Sequence, residues 1–573
     1  MTALDDTSRM TRPWLAHYDA GVPATLAPYP ERTLLDYLTE TARDHSDRPA
    51  LLFKGTTVTY ARLERESDAF AAALTAKGVR RGDRVAICLP NCPQFFVAEL
   101  GAWKIGAIAC PFNPTYTERE MQDALATTGA TTLIVLNRFY EKVKRVQPAT
   151  SLQQIIVTNI KEYLPFFLSI AFTLFKEKKE GDRITLAKGD LRMADLLREF
   201  RGTARPAVTV SPRDTAVILM SGGTTGKPKG VVGVHGAMVV AGLQLKAWLS
   251  PAMREWDDII HLPLPLFHTY ANTGVQSLSF VNHNPIALVP NPRDIADLLH
   301  DFNRVKPAFT CAVPTLLNSI MNHSMVKTGK VDFSSLKLCF SGAAALMAET
   351  KKRFEDLTGC VIVEGYSLTE AQMAVIANPV RGARKIGSVG MPLPDVDVRI
   401  VDSETGLTPM PTGEVGEIVI RARQITPGYW NDPAASSEML RTDTDGTPLL
   451  FTGDLGYLDE DGYVFIVDRK KDLIKTSGFQ VWPREIEEVI SAHPSVLEVG
   501  VAGMPDQMKG ESVKAWIVLR PNTTLDAAEL KAWCKERLAP YKVPTHFEFV
   551  ADLPKSQVGK VLRRVLRQEP VKT

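Results

Sequence analysis

Ser221-Gly222-Gly223-Thr224-Thr225-Gly226-Lys227-Pro228-Lys229-Gly230 follows the apolar run Ala216 to Met220 and precedes the β-like run Val231 to Val234. Glycines let backbone N–H groups approach an anion, hydroxyls donate to phosphate oxygens, and Lys229 offsets their charge. A nucleoside triphosphate is the natural occupant. The common phosphate loop needs Gly, four residues, then Gly-Lys-Ser/Thr; here Ser221 stands at the first Gly and Pro228 follows Lys227. Pro228 also removes a donor where a helix would open, so the segment reads as a loop joining two strands. The plain alternative is a Gly-rich turn.

A second motif argues against that alternative. The β-branched run Val361 to Val363 delivers Glu364-Gly365-Tyr366-Ser367-Leu368-Thr369-Glu370 at its C-terminal end, the side on which α/β sheets bind ligands. Tyr366 offers a flat face to a purine, Thr369 a hydroxyl to a phosphate, and Glu370 a hard oxygen to phosphate-bound Mg²⁺. Gly365-Tyr366-Ser367 begins like a serine-hydrolase elbow, but Thr369 stands where its last Gly belongs.

Together the two motifs resemble the adenylate-forming superfamily of acyl-CoA synthetases, luciferases and peptide-synthetase adenylation domains. Two further signatures extend the resemblance over nearly the whole chain. One runs from Thr452-Gly453-Asp454-Leu455-Gly456-Tyr457 through Asp468-Arg469-Lys470-Lys471-Asp472 to Lys475, Gly478, Phe479 and Gln480; the other is Pro554 to Lys560. Near the amino terminus, Pro13-Trp14-Leu15, Tyr18, Val22-Pro23 and Gly82-Asp83-Arg84-Val85 resemble the bacterial long-chain fatty acyl-CoA ligases.

The resemblance implies an α/β fold: a large multi-subdomain α/β N-terminal domain over residues 1–467 and a small mobile α+β C-terminal domain over 468–573, hinged near Lys471. It implies a two-step activation of a carboxylic acid with ATP, Mg²⁺ and CoA, the acid being a medium- or long-chain fatty acid. Ser221, Gly222, Gly223, Thr224, Thr225, Gly226 and Lys229 would hold the phosphates, with Glu370 and Ser221 supporting Mg²⁺ and Thr369 at the α-phosphate. Gly342, Ala343, Glu364, Gly365 and Tyr366 would line the adenine pocket; Asp454 would accept both ribose hydroxyls, assisted by Arg469. Lys560 would bridge carboxylate and α-phosphate in the first step. The loop at Gly478 would admit pantetheine in the second, with Lys475 and Gln480 near the adenylate. His268 would close the acyl site, walled by Thr269, Tyr270 and Asn272.

Some positions depart from the family pattern. Ser477 replaces a frequent lysine, Ser367 a frequent glycine, and Asn272 stands where some long-chain members carry a Trp gate. Alternative readings are a fatty acyl-AMP ligase, a CoA ligase for aryl acids, and a non-catalytic nucleotide-binding scaffold.

Composition agrees with a two-domain enzyme: 573 residues exceed a single core, and 45% apolar content is ample for burial. Sixty-seven basic against 65 acidic residues, net +2, supply no general field for nucleic acid. The seven cysteines lack zinc-like spacing and read as reduced cytosolic thiols. Met1 to Asp19 contains no apolar h-region, so a cytoplasmic location is expected.

One segment stands apart. Tyr163 to Phe175 is uncharged and strongly apolar, with Lys161 and Glu162 before it and Lys176, Lys178 and Lys179 after it. It is shorter than the about 20 residues a membrane span needs. It reads either as a buried helix, the usual fate of such a length, or as a peripheral contact on the inner face of a membrane.

Overall fold

Three sheets carry the chain; the computed structural model describes residues 12–221, 228–344, 346–406, 408–443, 445–476, 479–506, 508–555 and 561–568. The first sheet has seven strands, in the order 191–192, 154–158, 132–136, 84–88, 108–111, 215–220 and 230–234. All pairs are parallel except the last, where Thr215–Met220 and Gly230–Val234 form an antiparallel hairpin. The two strands expected to flank residues 221–229 are therefore present and paired, while 222–227 lie outside the described residues. Arg84–Cys88 and Thr132–Leu136 are almost wholly buried, the pattern of strands covered on both faces.

The second sheet changes character along its width. Leu338–Ser341, Phe309–Ala312, Ile260–Leu262 and Ile286–Leu288 are parallel and abut Val361–Leu368. On its other edge Val361–Leu368 pairs antiparallel with Met373–Ala377, and the sheet continues antiparallel through Ser388–Pro392, Val464–Arg469 and Pro448–Leu458. The strand bearing Glu364 to Leu368 thus sits at the switch between the two regimes.

The third sheet belongs to the small C-terminal domain: Phe479–Val481, Ile474–Thr476, Gly510–Leu519 and Val496–Asp506, with His546–Phe549 alongside Gly510–Leu519. Helices Pro483–Ser491 and Ala527–Lys535 cover it, and Ile474, Ile486, Ile490, Val513, Ile517 and Leu530 form its own core. Among the described residues, no core cluster mixes these side chains with those of the large domain. A polar contact crosses instead: Arg484 donates to the Ile466 carbonyl at 2.8 Å, while Arg563 ties Asp468, Asp472 and Glu487 together within the small domain at 2.9, 3.2 and 2.7 Å.

Two sequence expectations meet the structure here. All seven cysteines are free and buried, and burial pushes their thiols up, so they are neutral. The run 163–175 is not a core helix. Tyr163 is buried, but Phe166, Phe167, Leu168, Ile170, Leu174 and Phe175 are exposed, and Phe172 is half-buried. The segment leaves the sheet between strand 154–158 and the edge strand 191–192, where few elements remain to cover it. Among the described residues no helix is long and apolar enough to cross a membrane.

A buried carboxylate joins the two large sheets' helical layers. Helix Pro93–Lys104 is buried throughout, and its Glu99 is 0% exposed. Glu99 accepts hydrogen bonds from Asn272 Nδ2 and Gln276 Nε2, both at 2.7 Å, on the π-helical stretch Tyr270–Gln276. Burial pushes the Glu99 carboxyl up to about 7, although both amide bonds pull the other way. An unfolded chain ionises this group near about 4.3. Between those values the native state keeps a proton that the unfolded state has released, so stability falls as pH rises through the window, by roughly 4 kcal/mol in all. Glu99→Gln should flatten that part of the curve, as read by denaturant unfolding at about pH 5 and about pH 8. An unchanged pH slope would contradict the assignment.

Candidate active site

The phosphate-loop hairpin is closed at its base by Ser221 N–H donating to the Lys229 carbonyl at 2.8 Å. Gly222, Gly223, Thr224, Thr225 and Gly226 lie outside the described residues. Lys229 leans over the ring of Tyr429, its ammonium 4.8 Å from the centroid, and the Tyr429 hydroxyl donates to Glu370 Oε1 at 2.8 Å. One tyrosine therefore spaces the cation from the carboxylate expected at the metal.

Backbone bonds set that tyrosine. Trp430 N–H donates to the Gly230 carbonyl at 2.7 Å and Val232 N–H to the Gly428 carbonyl at 3.1 Å, laying residues 428–430 beside the hairpin. Thr426 N–H donates to the Glu370 carbonyl at 2.8 Å, and its hydroxyl to the Val232 carbonyl at 2.6 Å. Gly233 is required here, since a Cβ would stand 2.4 Å from Gln372 Oε1. The sequence reading passed over Tyr429; its signal was the Pro427-Gly428 turn followed by two aromatic residues.

The nucleoside candidates gather on neighbouring strand ends. Ser341 and Glu364 are register partners, which brings Gly342 and Ala343 beside Glu364, Gly365 and Tyr366. A Cβ at Gly342 would meet the Gly365 carbonyl oxygen and the Tyr270 ring in ordinary contact, each at 3.4 Å. Ala343 takes a left-handed φ of 67°, a strained conformation for a residue with a Cβ. Glu364 faces Lys351 at 3.1 Å, and burial holds its carboxyl above the ordinary range. Thr369 and Glu370 follow on a short 3₁₀ turn at the strand's end.

Tyr366 is buried and donates its hydroxyl to Asp454 Oδ2 at 2.6 Å, and Arg469 Nε donates to Asp454 Oδ1 at 3.0 Å. Burial and the neighbouring carboxylate hold the Tyr366 phenol well above its usual value, so it stays a donor. A carboxylate has about four acceptor positions. Asp454 has spent two, and two remain for a pair of adjacent hydroxyls.

The acyl-site candidates follow one another over residues 268–272. His268 is half-buried, and its Nδ1 accepts from Tyr270 N–H at 3.3 Å. Thr269 is buried with its hydroxyl 2.6 Å from that of Thr273, and Tyr270 donates to the Phe340 carbonyl at 2.7 Å. Asn272 turns inward to Glu99. That polar cluster was missed from the sequence, although a glutamate amid Phe95, Phe96, Val97, Ala98 and Leu100 was the signal.

Lys471 is exposed between Asp468 and Asp472, the two carboxylates that Arg563 bridges. Lys475 is exposed on the C-terminal sheet, with its N–H donated to Glu511 at 2.8 Å and Gln480 as its cross-strand partner. Gly478, Lys560 and the Gln480 side chain lie outside the described residues.

Among the described residues no three His, Cys, Asp or Glu side chains form a metal cage. A single half-buried carboxylate, Glu370, beside a loop suited to phosphates fits Mg²⁺, which keeps its waters and is held by one or two carboxylates plus substrate phosphates.

Comparison with known proteins identifies the chain's relatives. The AMP-binding enzyme family profile matches residues 38–430, and that of the AMP-binding enzyme C-terminal domain matches 485–560. A long-chain-fatty-acid–CoA ligase of Bacillus subtilis (strain 168) is 37% identical over 559 residues, covering 97% of this chain and 98% of that protein. One of Yersinia pestis is 35% identical over 567 residues, covering 98% and 99%. The crystal structure of an anthranilate CoA ligase in complex with anthranoyl-AMP superposes with a TM-score of 0.82 at 26% identity, covering 94% of this chain and 97% of that one. With one profile covering more than half of the chain and both matched in order, the chain belongs to the AMP-binding enzyme family.

Proposed function

We propose that the protein is an ATP-dependent acyl-CoA ligase that activates a medium- or long-chain fatty acid, releasing pyrophosphate and AMP. The observation that carries the reading is the Lys229–Tyr429–Glu370 chain beside the phosphate-loop hairpin, which sets a cation and a carboxylate where a polyphosphate and its metal would meet. The long-chain preference is supported by the two bacterial relatives. The same reading puts the enzyme in the cytoplasm, in peripheral contact with the inner face of a membrane.

A fatty acid is a poor acyl donor because its carboxylate oxygen leaves badly. Attack of that oxygen on the α-phosphorus of ATP breaks the bond to the bridging oxygen, expels pyrophosphate and makes a mixed anhydride. The thiol of CoA then attacks the carbonyl, and AMP leaves. Stabilisation is electrostatic: Ser221, Thr224, Thr225, Lys229 and loop N–H groups face the phosphates, and Thr369 faces the α-phosphate. Glu370 and Ser221 would hold Mg²⁺, which neutralises charge on the phosphate oxygens when bound. Asp454 takes the ribose hydroxyls, and Gly342, Ala343, Glu364, Gly365 and Tyr366 frame the adenine.

Lys560 bridges the carboxylate and the α-phosphate in the first step, as a flexible ammonium can. The domain boundary falls between 467 and 468, and rotation about Lys471 exchanges Lys560 for the Gly478 loop, with Lys475 and Gln480, in the second step. The separate core of residues 474–543 supports that division. His268 with Thr269, Tyr270 and Asn272 guards the acyl entrance.

Labelled pyrophosphate should exchange into ATP when a long-chain acid and magnesium are supplied, and acyl-CoA should appear by mass spectrometry only with CoA present. Exchange without acyl-CoA would mark an acyl-AMP ligase, and a preference for aryl acids would overturn the fatty-acid assignment. Lys560→Ala should lower adenylation at least about 100-fold while sparing thioester formation from supplied acyl-adenylate; equal losses in both half-reactions would remove Lys560 from its role. Tyr429→Phe should raise KM for MgATP about tenfold, since a hydrogen bond to a charged carboxylate is lost. An unchanged KM would detach Tyr429 from the phosphate site.

A further inference from the structure

The apolar side chains of 163–175 do not hang from a slack loop; they are held outward by a polar stem. At the entry, Lys161 pairs with buried Glu177 at 2.6 Å, and Asn159 Nδ2 donates to the same carboxylate at 3.0 Å. Glu162 accepts from the Thr158 hydroxyl at 2.6 Å and from Asn159 N–H at 3.1 Å. Tyr163 is buried, hydrogen-bonded to Glu66, with the Arg62 guanidinium 4.9 Å above its ring. At the exit, Arg138 pairs with Glu180 at 2.7 Å and with fully buried Asp182 at 2.6 Å. Every acid in the segment is thus engaged at the stem.

Beyond the stem the chain forms a helix at Phe166–Ala171 continued by a π-helical turn at Phe172–Lys176. Phe167 is 82% exposed, Phe175 75%, and Phe166 and Leu174 71% each, with Leu168 and Ile170 also open. Exposed Lys176, Lys178 and Lys179 follow directly. An apolar face rimmed on one side by cations, with its acids paired at the stem and Glu177 and Asp182 buried there, complements an anionic lipid surface. The helix is far too short to cross a bilayer of about 30 Å and would lie in the interface.

Topology relates this surface to the site. Strands 154–158 and 215–220 run parallel in one sheet, so the finger and the phosphate loop leave from the same rim. Four strand spacings separate them in the sheet order, about 19 Å at roughly 4.8 Å each.

We propose that the finger between Asn159 and Asp182 docks the enzyme on an anionic bilayer, with Phe166, Phe167, Leu174 and Phe175 entering the interface and Lys176, Lys178 and Lys179 meeting headgroups. The proposal rests on the fatty-acid reading for its purpose, since such an acid partitions into lipid, and on the geometry for its place.

The test is flotation of the full chain with phosphatidylethanolamine vesicles containing a minority of phosphatidylglycerol, and with phosphatidylcholine vesicles. The wild type should float with the first. A variant combining Phe166→Ser, Phe167→Ser and Phe175→Ser should lose at least about tenfold in bound fraction, with unchanged thermal unfolding and unchanged turnover of a water-soluble acid. A second variant, Lys176→Glu, Lys178→Glu and Lys179→Glu, should lose binding mainly to the anionic vesicles, and added salt should reproduce that loss. Undiminished flotation of the serine variant, or no flotation of the wild type, would overturn the proposal. So would a wild-type dimer that the serine substitutions split without vesicles mattering, which would make the face a contact between two copies. Flotation requires neither ATP nor acid, so its failure leaves the ligase reading standing, and a failed pyrophosphate exchange leaves the docking surface standing.

Discussion

The carboxylate of Asp454 is the constraint on which the site's geometry turns. It is buried and charged, a state that is costly unless every oxygen finds a partner. Tyr366 and Arg469 supply those partners from two different strands. The Thr452 hydroxyl receives Asp454 N–H at 3.1 Å and donates to the Ile418 carbonyl at 2.7 Å, fixing the approach. A single acidic group thereby couples the strand that carries the adenine-side candidates to the strand that leads into the small domain. Removing either partner would leave a buried charge half-satisfied, so the coupling is stiff.

Much of this was legible because the relevant signals are local. The phosphate-loop hairpin follows from Pro228 and the β-branched run after it, both properties of adjacent residues. The position of Glu364 to Glu370 at a strand end follows from Val361 to Val363. Tyr429 was opaque for a physical reason: its role depends on a sheet-edge pairing with residues 230–232, almost two hundred positions away, and no spacing rule reports that. Glu99 was opaque for the converse reason, because its partners Asn272 and Gln276 become meaningful only when two helical layers pack. The run 163–175 shows a third kind of limit. Composition alone does not distinguish an apolar helix that finds a cover from one left at a sheet's edge; the network around Glu177 and Asp182 decides it, and those are charged residues outside the apolar run.

The fold also explains why nucleotide and acyl functions can share one site without sharing elements. The adenine-side candidates sit where the second sheet passes from parallel to antiparallel pairing, along Val361–Leu368 and the end of Leu338–Ser341. Of the acyl candidates, Tyr270 and Asn272 sit on a π-helical stretch, a variant of the helix often found at functional sites, and His268 and Thr269 directly precede it. Tyr270, donating to the Phe340 carbonyl, joins the two.

The cysteines carry a consequence for chemical fidelity. An acyl-adenylate is an aggressive electrophile, and any thiolate within reach would be irreversibly captured by it. Every sulfhydryl of this chain is sequestered in the interior and kept protonated, so the protein presents no competing sulfur nucleophile of its own. On the ligase reading, the interior placement of these residues protects the enzyme from acylating itself and reserves the activated group for the incoming carrier.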